Sequence, residues 1–153
     1  MTKTQHVSAE QLHAFFRPRS IALVGATDNS RWSVYTFENL KNFEFLGPIY
    51  LVNPNHQFVH GQRALKSLRE IPGPVDLAFI MVPTQLVYSI VATGVEMGIT
   101  KFVVLTSGFG ETGAEGAKLE HDLLTFAQSS QTDEPDLSSI LRQDRLSRER
   151  NFP

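Results

Sequence analysis

The chain has 153 residues, 41% of them hydrophobic and 20% charged, with a formal net charge of −2 and no cysteine. That length suits one ordinary α/β domain with a core large enough to fold without staples. The missing cysteine excludes disulfides, thiolate metal sites and cysteine nucleophiles, and the near-neutral charge gives no global field that would favour nucleic acid.

The N-terminal stretch MTKTQHVSAEQLHAFF lacks the apolar core and cleavage pattern of a secretory signal. No apolar run approaches the ~20 residues that span a bilayer. The expectation is therefore a cytoplasmic protein whose partners include neither nucleic acid nor membrane. Leu12, Phe15 and Phe16 give the segment 1–18 a short helix that docks beside a sheet and stops at Pro18. Ile21 to Val24 then run straight into Gly25, as in a strand covered on both faces. After polar ATDNSRW, the spacing of Val34, Phe37 and Leu40 predicts a helix.

IYLV, residues 49–52, predicts a second strand, ended by Asn53-Pro54-Asn55. A loop and a short helical stretch, ALKSLREI, come next. VDLAFIMV, residues 75–82, predicts a third strand, stopped by Pro83. Leu86, Val87, Ile90, Val91 and Val95 then form a helical stripe, with Gly94 on the same face and Gly98 as the stop. KFVVLT, residues 101–106, predicts a fourth strand; SGFGETGAEG reads as a loop and AKLEHDLLTFAQ as a helix. Strand and helix alternate throughout, so the expected fold is α/β, a doubly wound parallel sheet in a single domain over residues 19–127. Residues 128–153 are polar and arginine-rich with no strand-like run, and read as a flexible tail.

In such a sheet, ligands sit where strands end at their carboxyl edge. Four loops leave that edge: residues 25–33, 53–61, 82–85 and 106–113. The first, Gly25-Ala26-Thr27-Asp28-Asn29-Ser30-Arg31, joins a strand to a helix N-terminus and is the phosphate candidate. Arg31 adds a charge-assisted bond. The same spacing also fits a mere strand-to-helix turn. A dinucleotide fingerprint would put glycines at 25, 27 and 30; Thr27 and Ser30 stand at two of these, and no acid ends the second strand. Both features argue against NAD(P). The pattern GxxxxGK[ST] is also absent.

Gly108-Phe109-Gly110-Glu111 reads either as a loop pressed on a ligand or as a connector that tucks Phe109 into the core. Glu111 is assigned to a helix cap. His56 and His60 stand four apart, but in a loop and without a third ligand, so no metal is assigned. His121 is expected to be solvated. No Ser–His–Asp arrangement emerges from the spacing. Pro83 starts a helix, and its ring also suits packing on an adenine.

Four segments carry a resemblance to a known family: FFRPRSIALVGATDNS, ENLKNFEFLGPIYLVNPN, HGQRALKSLREIPGPVDLAFIMVP and GITKFVVLTSGFGETGAEG. Over residues 12–127 the chain resembles the CoA-binding domain of the NDP-forming (ADP-forming) acyl-CoA synthetases, relatives of the succinyl-CoA ligase α subunit. The resemblance implies a Rossmann-like domain that holds coenzyme A or acyl-CoA at the carboxyl edge. It implies that the loop from Gly25 to Ser33, with Ala26, Thr27, Asn29, Ser30 and Arg31, cradles the phosphates. Val52, Asn53 and Pro54 would line the adenine side, Val82 and Pro83 would touch the nucleotide, and Ser107, Gly108 and Phe109 would lie near the pantetheine arm. The family's full enzymes interconvert acyl-CoA, ADP and phosphate with acid, CoA and ATP through a phosphohistidine. Their ligase and ATP-grasp domains have no counterpart in the matching segments, so no catalytic residue is carried over.

Three departures stand out. Ser33 replaces a frequent glycine, where its hydroxyl would donate to phosphate. Asn55 replaces a common lysine, leaving Arg31 to compensate. The family's fifth strand has no counterpart here, so the sheet is expected to lack its last strand and to leave an edge that could pair with another copy. The leading expectation is a binding module inactive alone, with separate ligase and ATP-grasp chains as partners. The alternatives are a contribution to synthetase activity in trans, an NAD(P)-binding domain, and a degenerate domain that binds only proteins.

Overall fold

The computed structural model describes residues 8–106, 113–129 and 140–142. Helix α1 (Ala9–Phe15) precedes β1 (Ile21–Val24), α2 (Arg31–Asn42) and β2 (Ile49–Val52). A small hairpin, β3 (Phe58–Val59) and β4 (Gln62–Arg63), and a 3-10 turn at Leu68–Glu70 lead to β5 (Leu77–Ile80). Helix α3 (Thr84–Glu96), β6 (Phe102–Val104), α4 (Ala114–Ser129) and β7 (Ile140–Arg142) complete the order.

The main sheet runs β2-β1-β5-β6-β7, and every pair in it is parallel. Ile21 faces Ile49 on one side and Leu77 on the other. Alternation along the strands sends side chains to opposite faces. Ile21, Leu23, Leu51 and Leu77 join Phe15 of α1 and Phe37 of α2 in one core. Ala22, Val24, Val52, Ala78 and Ile80 join Val87 and Val91 of α3 and Leu123 of α4 in the other. This is the doubly wound α/β domain that the alternating pattern predicts. The four apolar residues of β1 are all buried, because each face of the sheet has its own helices. Each such leucine or isoleucine contributes ~1.5–3 kcal/mol relative to an exposed position.

The α3 stripe divides as packing demands. Val87 and Val91 are buried, Ile90 and Val95 lie half-buried against the core, and Leu86 is exposed. Gly94 touches the sheet: a Cβ there would come 2.7 Å from the Phe102 ring. Gly98, with φ +86°, ends the helix region as expected. At the amino edge of the sheet, the Arg19 N–H and Nε both donate to Asp76 Oδ2, at 2.8 and 3.1 Å. Ser20 Oγ donates to the Pro74 carbonyl and accepts the Asp76 N–H. These bonds tie the entry of β1 to the entry of β5.

Two expectations are corrected. The stretch after β2 is not simply loop and helix, because a hairpin and a 3-10 turn occupy it. The sheet does not lack its last strand: Ile140–Arg142 pairs with β6, with Phe102 opposite Ile140 and Val104 opposite Arg142. Three residues inside polar sequence carry no readable period. What selects them is the open row of β6 backbone donors and acceptors, which a parallel strand can satisfy.

Candidate functional site

The strand order reverses direction between β1 and β5, so the loops after these two strands flank a crevice at the carboxyl edge. Gly25 makes their approach possible. Its φ is +82°, and a Cβ would sit 2.4 Å from the Met81 carbonyl oxygen. Flanking bonds fix the pair: the Gly25 N–H donates to Val52 O at 2.9 Å, and the Met81 N–H donates to Val24 O at 2.8 Å.

The β1–α2 loop is braced from within and from behind. The Thr27 N–H donates to Ser33 Oγ at 2.9 Å, and the Asn29 N–H to Thr27 Oγ1 at 3.3 Å. Asn53, buried at the end of β2, donates from Nδ2 to Ala26 O at 2.8 Å. Its Oδ1 accepts the Asn55 and His56 N–H groups, at 2.8 and 3.2 Å. One side chain thus fastens the first two carboxyl-edge loops to each other. Ser30 is the N-cap of α2 in extended conformation but makes no side-chain cap bond. The first helical bond runs from the Val34 N–H to Ser30 O. The positive end of the α2 dipole therefore opens beside the crevice.

The expected site residues fall into three groups. Gly25, Thr27, Asn29, Ser30 and Arg31 lie half-buried or exposed in the loop and first turn, and Val82 and exposed Pro83 stand across the crevice. Ala26, Ser33, Val52 and Asn53 are buried, while Pro54 is exposed next to Asn53. Ser107, Gly108, Phe109 and Glu111 lie outside the described residues. Ser33 is fully buried, with its oxygen taken by Thr27 and His60, so its hydroxyl acts behind the loop. Arg31 is the exposed cation of the first turn.

Sequence spacing missed one constellation. His60 Nε2 lies 2.7 Å from Ser33 Oγ, and His60 Nδ1 lies 2.9 Å from Asp28 Oδ1. The three residues stand in the order Ser–His–Asp, and the serine and histidine are 27 residues apart in sequence. No local pattern could have found them, because the β3–β4 hairpin that delivers His60 was itself unread. A nucleophile needs access to its substrate, and Ser33 has none. Among the described residues no group of three His, Cys, Asp or Glu side chains is arranged to hold a metal. His121 is exposed on α4, as expected.

A second concavity, about 550 Å³, opens between α3 and α4 and is lined by Tyr88, Leu119, Asp122, Thr125 and Phe126. Among its described lining residues the one charged group is the acid Asp122, which does not suit a phosphate. No helix among the described residues is long and apolar enough to cross a membrane.

Comparison with known proteins bears on the family and the fold. The family described as CoA binding domain matches residues 19–144, a span that takes in β7. Over 117 residues the chain is 43% identical to the alpha subunit of acetate–CoA ligase [ADP-forming] II of Pyrococcus furiosus, covering 76% of this chain and 25% of that one. The solved structure of PH0766 from Pyrococcus horikoshii superposes with a TM-score of 0.70 at 38% identity, over 78% of this chain and 27% of that one. The dinucleotide forming acetyl-coenzyme A synthetase 1 of Candidatus Korarchaeum cryptofilum, solved with phosphate and ADP, gives 0.68 at 31% identity, over 78% and 25%. The chain thus spans about a quarter of the length of the first of these relatives, and less of others, such as the 18% of acetate–CoA ligase [ADP-forming] II of Archaeoglobus fulgidus. On the extent of the family match and the identity to these ligases, the chain belongs to the CoA-binding domain family, homologous to subunits of ADP-forming acyl-CoA synthetases.

Proposed function

We propose that this domain binds coenzyme A or acyl-CoA in the crevice between the β1–α2 and β5–α3 loops. It serves as the CoA-binding part of an ADP-forming acid–CoA ligase, whose ligase and ATP-grasp parts are supplied outside this sequence. The observation that carries the reading is the switch-point crevice itself, where Gly25 presses against Met81 and the uncapped start of α2 offers a positive dipole end. The coenzyme's phosphates take the loop of Thr27, Asn29, Ser30 and Arg31. Its adenine lies between the Asn53-Pro54 and Val82-Pro83 edges, and its pantetheine arm runs toward Ser107, Gly108 and Phe109. Identity to ADP-forming ligases supports the choice of coenzyme over NAD(P), as does the absence of glycine at 27 and 30.

Calorimetric titration of the full chain with CoA and with NAD, side by side, tests this. Saturable heat with CoA and none with NAD is expected. No heat at millimolar CoA would sink the proposal, and preference for NAD would replace it with a redox role.

A further inference from the structure

The tip of the β3–β4 hairpin carries a residue in an unfavourable backbone state. His60 and Gly61 both have positive φ, at +50° and +71°. They join two short antiparallel strands in register Val59 to Gln62, which is the backbone pattern of a two-residue type I′ turn. Its first position normally falls to Asn, Asp or Gly. A histidine there is less common and costs backbone energy, which its surroundings must offset.

The surroundings hold it on every side. The His60 side chain is 5% exposed. Its ring stacks on Phe37 of α2, with centroids 5.0 Å apart and planes 20° apart. The His60 N–H donates to Asp28 Oδ1 at 2.8 Å, and Nδ1 contacts the same oxygen at 2.9 Å. Ser33 Oγ accepts the Thr27 N–H, so its own hydrogen is free to go to His60 Nε2 at 2.7 Å. Nδ1 then carries the ring proton and donates it to Asp28. Each donor in this chain meets an acceptor, and among the described residues no buried side-chain nitrogen or oxygen is left unpartnered. Asp28 lies inside the β1–α2 loop and Ser33 in the first turn of α2, so one ring joins the middle of the loop to the helix start.

We propose that His60 is the positioning residue of the phosphate loop. From a separate hairpin it fixes the Thr27 to Ser33 segment and thereby sets the domain's affinity for the coenzyme. This rests on the CoA reading above. It makes the hairpin part of the binding machinery, although no atom of His60 need touch the ligand.

The full chain and three variants test it. Long-range nitrogen–proton NMR on the free protein, at mildly alkaline pH, should find His60 as the Nδ1–H tautomer; the Nε2–H tautomer would overturn the proposal. His60→Asn suits the turn, since Asn-Gly is favoured there, yet cannot reach both partners. Ser33→Ala keeps the buried volume and removes the oxygen. Each should speed amide exchange at Thr27 and weaken CoA by about tenfold, and the double variant should lose little more than either alone, because both cut one chain. Unchanged CoA affinity in a variant that circular dichroism shows to be folded, or additive losses, would overturn the proposal while leaving the CoA reading intact. If His60→Asn fails to fold, Ser33→Ala decides with the same readouts. A wild-type chain that binds no CoA ends the CoA reading and the affinity claim together, while the tautomer and the Thr27 exchange still judge the brace separately.

Discussion

Arg31 stands at the first position of α2, exposed, where the helix dipole and a guanidinium act on the same volume. A charge-assisted bond contributes ~1.5–3 kcal/mol, so Arg31→Ala should weaken CoA at least ~tenfold. If the guanidinium reads the 3′-phosphate, wild type should prefer CoA to dephospho-CoA and the variant should not; equal affinity of wild type for both removes that role. Trp32, the single tryptophan, is its exposed neighbour, and its fluorescence gives a convenient signal for the titration. Gly25 and Arg31 were legible in the sequence because each acts through its own chain position: a turn after an apolar run and a charge at a helix start. Ser33, Asp28 and His60 were not, because their meaning lies in each other. By its place in the sequence Ser33 suits a phosphate donor, whereas in the structure its oxygen is taken by Thr27 and His60.

Elements followed the same division. Helix α3 is legible through its apolar periodicity, and strands β1, β2 and β5 through short apolar runs ended by turn residues. The β3–β4 hairpin and β7 are not. Two- and three-residue strands have no period to read: β3 and β4 pair with each other across the His60-Gly61 turn, and β7 is selected by β6, far back in the chain. The tie between the β1 and β5 entries belongs to this scale and makes a pH prediction. Burial raises the Asp76 carboxyl, but the backbone N–H and guanidinium of Arg19, with the charge of Lys101, outweigh it and hold the group below its ordinary range. A carboxyl depressed in the folded state stabilises above its unfolded pKa and loses that contribution as pH falls through the folded value. Asp76→Asn should therefore cost ~1 kcal/mol near neutral pH, and its gap from wild type should close below about pH 4. Urea melts at several pH values measure this; a gap that persists undiminished at acid pH would contradict the assignment.

At the scale of the whole molecule, the domain spans a quarter or less of the first ligases it resembles. The reading of a binding module predicts no acid- and CoA-dependent turnover of ATP by this chain alone. Turnover is expected when it is mixed with separate ligase and ATP-grasp chains of its own enzyme, followed as ADP and phosphate release. Failure in the mixture, with CoA binding intact, would leave a coenzyme-binding module without that catalytic role. By itself, the sequence determined the layered α/β architecture, the parallel sheet and the carboxyl-edge loops, because burial on two faces and turns rich in Gly and Pro are written locally. Only the tertiary structure decided that a fifth strand pairs beside β6 and that a hairpin histidine contacts both Asp28 and Ser33. Backbone pairing and side-chain hydrogen bonding across long separations depend on which groups meet in space, and no stretch of neighbouring residues records that meeting.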